Sequence, residues 1–115
     1  MEMNSEMGAY IDVNDAVTRI GGNVSLYKKL LGRFVEGAHF DEIADSLRKG
    51  NNEEALRQVH SLKGVSANLS LIKIHSISII LEQLLKDGAD YSSCIDELEQ
   101  AFLVTTGMIS DIVAA

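Results

Sequence analysis

The 115-residue chain contains no proline and no tryptophan, and it has a single cysteine, Cys94. Because proline interrupts helix interiors, its absence favours helices along the whole chain. One cysteine cannot form an internal disulfide, so we expect a reducing compartment. With only three Phe and three Tyr, the core has to be filled largely by aliphatic side chains.

Positive charge is also scarce, since 10 Lys and Arg stand against 17 Asp and Glu, for a formal net charge of −7. An acidic chain of this kind is repelled by nucleic acids and by anionic membrane surfaces. No charged-then-apolar leader opens the sequence, and residues 69–85, the most apolar region, carry too many polar residues to span a bilayer. We therefore expect a cytoplasmic protein that binds neither nucleic acid nor membrane.

The length and the 46% hydrophobic content predict one domain with a substantial core. Residues 1–8 show no periodicity and are predicted to be a flexible N-terminal tail, which leaves residues 9–115 as a single helical bundle domain. Short connections force neighbouring long helices to run antiparallel. The predicted fold is therefore all-α, an antiparallel four-helix bundle with a short additional N-terminal helix.

Capping residues and glycines predict where the helices begin and end. The first helix is capped by Asp12 or Asn14 and stops at Gly21, the second is capped by Asn23 or Ser25, and a later one is capped by Asn51 or Asn52. The apolar stripe of this second helix rotates by about 140° midway, which predicts a bend between Gly37 and Asp41. Further helices are expected over residues 53–69, 71–86 and from about 91 to the C-terminus. Apolar residues cover most of the circumference of 71–86, which predicts the most buried helix.

One polar face of the 53–69 helix concentrates the residues that could carry chemistry. Its apolar stripe recurs at spacings of three and four and consists of Ala55, Leu56, Val59, Leu62, Ser66 and Leu69. His60 sits about 140° from the middle of that stripe and so should face water. Lys63, Gly64 and Ala67 follow His60 by three, four and seven residues and share its face.

These residue types suit phosphoryl chemistry. An exposed histidine is largely uncharged at neutral pH, so it carries a ring lone pair that can attack a phosphoryl group. A cation one turn away, Lys63, would offset the charge of a phosphorylated ring. Gly64 costs about 1 kcal/mol relative to alanine in a helix interior, and bare backbone there would let another protein approach closely. An idle surface histidine remains the alternative that these residues alone do not exclude.

The run His60-Ser61-Leu62-Lys63-Gly64-Val65-Ser66-Ala67-Asn68-Leu69 resembles the signature of histidine-containing phosphotransfer (HPt) domains, the carrier modules of multistep phosphorelays in two-component signalling. The resemblance extends over roughly residues 9–103. One departure is Ser70, which stands where the family usually has glycine. The resemblance implies a helical bundle that carries phosphate on His60.

The same resemblance implies a role for each neighbouring residue. His60 would accept a phosphoryl group from a receiver-domain phospho-aspartate and pass it to another response regulator receiver domain. Lys63 and Glu82 would support the phosphate and the histidine, while Gly64 and Ala67 would give the partner clearance. If the helix of Glu82 runs antiparallel, its carboxylate can accept a hydrogen bond from the His60 ring. Partners would be receiver domains and a hybrid sensor histidine kinase.

No cofactor is expected on this chain, because the Mg²⁺ of the reaction would belong to the partner receiver domain. The sequence lacks the glycine-rich ATP-binding signatures, so we expect a phosphoryl carrier and not an enzyme. His39 and His75 are predicted to be ordinary side chains. A metal site is not expected, since none of His60, His75 and Glu82 has a second histidine or carboxylate four residues away, the usual ligand spacing.

Two alternatives stay open at this point. The chain could be the phosphotransfer module of a larger hybrid sensor or chemotaxis kinase, with His60 phosphorylated by a separate ATP-binding domain. It could also be a binding adaptor that docks receiver domains without carrying phosphate. The sequence names neither the pathway nor the direction of phosphate flow.

Overall fold

The computed structural model describes residues 5–115. In these residues every regular element is an α-helix. The helices are α1 Ser5–Tyr10, α2 Val13–Arg19, α3 Val24–Glu36, α4 His39–Arg48, α5 Asn52–Asn68, α6 Ile72–Asp87 and α7 Ser92–Ala114.

Four long segments form the bundle, namely the α3–α4 pair, α5, α6 and α7. The α5 helix packs on α4 and α6, and α7 closes the bundle against α3, α4 and α6. The short α2 helix contacts α3, and α1 lies across α6 and α7. The all-α four-helix bundle with additional helical structure at the N-terminus is thus confirmed.

Three helices begin at one of the two capping residues that the sequence offers for each, namely Asp12, Asn23 and Asn51. Each cap accepts a hydrogen bond from the backbone N–H three residues later, at 3.0 Å for Asp12, 2.9 Å for Asn23 and 3.3 Å for Asn51. Such a bond satisfies one of the backbone donors left unpaired at a helix start. The cap at Asn51 fixes where α5 begins and so fixes the position of His60 along it.

The predicted break in the second helix lies between α3 and α4. Gly37 adopts an extended conformation there, with φ −74° and ψ 144°. The His39 ring folds back and stacks on Phe34, with ring centroids 4.7 Å apart. A Cβ on Gly37 would lie 2.7 Å from His39 Nε2, so a larger residue here would require the His39 ring to move. Burial lowers the pKa of His39, which marks it as a packing residue of the junction.

Aliphatic side chains from every helix fill the core, among them Leu31, Ile43, Val59, Leu81 and Leu98. A buried hydrogen bond ties α3 to the end of α5. The Tyr27 hydroxyl donates to the Leu69 carbonyl at 2.9 Å, and burial raises the pKa of Tyr27. This contact holds the C-terminal end of α5, the helix that carries His60, against the bundle.

One expectation from the sequence needs correction. Residues 5–8 were predicted to belong to the tail but form part of α1, because Met7 packs against the hydrophobic core. Residues 1–4 of the predicted tail lie outside the described residues. The helix predicted to be the most buried, α6, does bury Ile74, Ile77, Ser78, Leu81 and Glu82. Its apolar residues are not all covered, because Ile79 and Ile80 are 47% and 53% exposed.

Candidate functional site

The α5 helix presents His60 to solvent. Its buried residues, Ala55, Val59, Leu62 and Ser66, all lie on the stripe predicted to face the core. The His60 side chain is 71% exposed on the other side of the helix. The amphipathic pattern of α5 therefore places the imidazole where another molecule can reach it.

The α6 helix runs antiparallel to α5 and faces it closely. Its C-terminal half places Glu82 against His60, and its N-terminal half places His75 against Lys63. The His75 Nδ1–H donates to the Lys63 carbonyl at 3.0 Å, which fixes the register of the two helices. This register brings the single carboxylate of the site to the level of the imidazole.

Glu82 is the centre of the polar network, although only 8% of its side chain is exposed. Its Oε2 accepts a hydrogen bond from His60 Nδ1 at 2.8 Å, and its Oε1 accepts one from Lys63 Nζ at 2.6 Å. Lys86 Nζ lies 3.8 Å from the same Oε1. A carboxylate that is almost fully covered is tolerated here because both of its oxygens have partners.

These partners keep Glu82 ionised. The hydrogen bonds from Lys63 and His60 are the main causes that lower the pKa of Glu82 to about 2, and the charges of Lys63 and Lys86 add to them while desolvation opposes them. An ionised carboxylate can only accept hydrogen bonds, so the His60 Nδ1 must carry the proton. In the neutral ring the lone pair then belongs to Nε2, the exposed nitrogen.

Lys63 lies one turn after His60, as expected, but its ammonium group is turned to Glu82. The side chain is 31% exposed and holds the carboxylate at 2.6 Å. The structure therefore brings His60, Lys63 and Glu82 together as one network. The role expected for Lys63 at a phosphoryl group stays a prediction.

Gly64 and Ala67 extend the His60 face toward the C-terminal end of α5. Gly64 is exposed, and a Cβ built on it meets no other atom within 4 Å. Packing within the chain therefore gives no reason for glycine at this position. A Cβ on Gly107 would likewise have open space around it. A glycine with open space beside it is therefore not by itself evidence of function. Ala67 is half-buried, and its carbonyl lies 3.5 Å from an Arg19 guanidinium nitrogen.

A shallow hollow opens on the other side of His60, between α5 and α6. It is lined by Leu56, Arg57, His60, Ser61, Glu82 and Lys86. Arg57 is bound to Glu54, with Nη2 at 2.5 Å from Oε2 and Nε at 3.2 Å. Sequence reasoning missed Lys86, although its place four residues after Glu82 was a signal that the two side chains share a helix face.

Ser70, the position that departs from the HPt pattern, has a left-handed backbone with φ 54°. Glycine adopts this conformation without steric cost, which explains the family preference. Here the strain is offset by contacts with α2 and its cap. The Ser70 hydroxyl donates to Asp15 Oδ2 at 2.7 Å, and the Ser70 carbonyl accepts from the Asp12 N–H at 3.0 Å.

Residues 5–115 contain neither a metal-binding cluster nor a helix that could span a membrane. No cluster of three or more histidine, cysteine or carboxylate side chains in this part of the chain is arranged to hold a metal ion. No helix within it has both the length and the apolar character that crossing a membrane requires.

Comparison with known proteins agrees with the geometry. The sequence profile of the Hpt domain matches residues 30–114, which covers α4 to α7, most of α3 and all of the residues around His60. Neither the curated proteins nor the solved structures contain a match. Because the profile covers most of the chain, this protein belongs to the Hpt family, whose members are phosphocarrier domains of phosphorelay signalling that interact with receiver domains and are not kinases.

Proposed function

We propose that this protein accepts a phosphoryl group on His60 Nε2 from the phospho-aspartate of one receiver domain and passes it to the aspartate of another. The observation that carries this proposal is the hydrogen bond of 2.8 Å between His60 Nδ1 and the buried Glu82. It leaves an imidazole that is 71% exposed with its lone pair on the outer nitrogen. A nucleophile held in this way needs no further base, since no proton has to leave it before it attacks.

In the forward step the Nε2 lone pair attacks the phosphorus of the partner's phospho-aspartate. The N–P bond forms, the P–O bond to the aspartate breaks, and its electron pair leaves with the carboxylate. The Nδ1 proton stays in place, so the phosphorylated ring is cationic. Glu82 is already ionised and in contact with Nδ1–H, and it stabilises this positive charge as it develops. The reverse sequence hands the phosphoryl group to the next aspartate.

The partner receiver domain supplies the Mg²⁺ and the acidic pocket of the reaction, and this chain supplies the nucleophile and the docking surface. Gly64 leaves open space beside His60. Ala67 adds only a methyl group one turn further along α5, so this part of the helix surface carries no bulky side chain. On α6, Ile79 is 47% exposed and precedes Lys86 by seven residues, so both lie on the side of α6 that borders the His60 hollow. An apolar side chain there suits a protein partner.

The test is phosphotransfer from a panel of receiver domains labelled on their aspartate. The wild-type protein should acquire acid-labile label, and His60→Gln should acquire none. If His60→Gln is still labelled, His60 is not the acceptor. If the wild type is labelled only by an ATP-dependent kinase and by no receiver domain, the proposed direction of transfer is wrong. If it binds receiver domains without becoming labelled, the protein is an adaptor.

The docking surface has its own test, which compares two exposed apolar residues. Ile79→Asp should weaken binding of a receiver domain that labels His60 by about tenfold, because it places a charge inside the contact area. Leu103→Asp is the matched control, since Leu103 is 62% exposed on α7 and lies beside Phe34 and Phe102. Equal effects of the two substitutions would place the docking surface elsewhere.

A further inference from the structure

Three cations surround the exposed edge of His60, and two of them are committed to carboxylates. Lys63 Nζ binds Glu82 at 2.6 Å. Arg57 makes a double contact with Glu54 through Nη2 and Nε. Both pairs are within hydrogen-bond distance, and in each the cation neutralises a carboxylate of its own site. Each cation has further N–H donors, but the negative charge of its carboxylate already offsets its own positive charge.

Lys86 differs from both. Its ammonium group stands 3.8 Å from Glu82 Oε1, beyond hydrogen-bond distance, and its side chain is 53% exposed. It lines the same hollow as His60. The carboxylate it faces already has a hydrogen bond to each oxygen, so Lys86 contributes only a weak, solvent-screened attraction. A long flexible side chain held so loosely can move to a stronger anion at little cost.

We propose that Lys86 is the cation that pairs with the phosphoryl group on His60, while Lys63 stays on Glu82 in both states. This inference rests on the proposed function and names the phosphate-binding residue of that site. Phosphorylation adds nearly two negative charges at the mouth of the hollow. Lys86 then turns from Glu82 to the phosphoryl oxygens and remains within the hollow.

Lys63 is a poor candidate for this movement because of what it would leave behind. The Glu82 side chain is only 8% exposed, so losing the Lys63 contact would leave one carboxylate oxygen covered and without a hydrogen bond. Such a group is far more costly than an unpaired charge in water. The cationic ring of phosphorylated His60 also needs Glu82 to stay ionised, and Lys63 is the main cause of that ionisation. Lys63 therefore acts through Glu82.

The test uses ³¹P NMR of the full chain phosphorylated chemically with potassium phosphoramidate. This reagent transfers its phosphoryl group to a histidine nitrogen and releases ammonia, so no receiver domain is needed. The quantity measured is the pKa of the phosphoryl group on His60. Lys86→Gln should raise it by about 0.5 to 1 unit, because a nearby cation favours the dianion. Lys86→Arg keeps the charge and should restore the wild-type value.

Arg57→Gln is the matched control, since it removes one positive charge from the same hollow. It should shift the phosphoryl pKa by less than half as much as Lys86→Gln. The proposal is overturned if Lys86→Gln titrates like the wild type, or if Arg57→Gln shifts the pKa equally. Failure of every receiver domain to label the wild type would instead overturn the proposed function, and the chemically phosphorylated protein would still report on Lys86.

Discussion

Replacing Glu82 by Gln should change how the stability of the protein depends on pH. The carboxylate is held at 2.8 Å by His60 and at 2.6 Å by Lys63, and only 8% of its side chain is exposed. Its pKa in the folded protein is about 2, compared with an ordinary value of 4.5. The folded state therefore favours the ionised form much more strongly than the unfolded chain does.

The size of the effect follows from linkage. Each unit of pKa difference between folded and unfolded states is worth about 1.4 kcal/mol, so Glu82 contributes up to about 3 kcal/mol. Because the folded pKa is lowered, this stability is fully present above pH 4.5 and is lost as the pH falls toward 2. Glu82→Gln has no titrating group at this position. Its disadvantage relative to the wild type should therefore shrink by up to about 3 kcal/mol between pH 6 and pH 2.

The assay is urea denaturation at a series of pH values, followed by far-UV circular dichroism because the chain is helical and has no tryptophan. Glu36→Gln is the control, since Glu36 is an exposed carboxylate at the end of α3. This variant keeps Glu82, so its stability should still fall by about 3 kcal/mol toward pH 2. If the curves of the wild type and Glu82→Gln run parallel from pH 6 to pH 2, the carboxylate is not held as described and the argument for the His60 tautomer loses its support.

Two further predictions concern glycine and serine positions near the site. Gly64→Ala should raise the free energy of unfolding by up to about 1 kcal/mol, because the added Cβ has open space around it, but it should slow phosphotransfer from a receiver domain. Gly107→Ala is the control and should stabilise the protein similarly without slowing transfer. Equal transfer rates for both variants would contradict a clearance role for Gly64. Ser70→Ala should be less stable than Ser70→Gly by about 1 kcal/mol in thermal unfolding. Both variants lose the hydrogen bond to Asp15, but only glycine relieves the strain of the left-handed backbone conformation. Equal stabilities would show that the backbone strain at this position is negligible.

The features that could be predicted from the sequence are those set by local pattern. Helical spacing of apolar residues was enough to place His60 on the exposed side of α5. Side-chain type narrowed each helix cap to two neighbouring candidates, of which the structure uses Asp12 and Asn51. The break near Gly37 followed from a rotation of the apolar stripe. Each of these depends on residues within a few turns of one another.

The features that could not be predicted depend on how separate helices pack. The sequence predicts a contact between Glu82 and His60 if their helices run antiparallel. How deeply Glu82 is buried, and that it also binds Lys63, depend on the register of α5 against α6, which His75 helps to set. The i, i+4 spacing shows that Lys86 shares a helix face with Glu82, but its place beside His60 depends on the same register. The helix at residues 5–8 was missed because its stability comes from the core contact of Met7 and not from its own periodicity.

The central claim is that Glu82 holds the proton on His60 Nδ1 and so makes Nε2 the nucleophile. It is tested most directly by long-range ¹H–¹⁵N NMR of the imidazole at neutral pH, before and after phosphotransfer from a labelled receiver domain. The account predicts a resting ring protonated at Nδ1 and a phosphoryl group on Nε2 afterwards. A resting proton on Nε2, or a phosphoryl group on Nδ1, would contradict it.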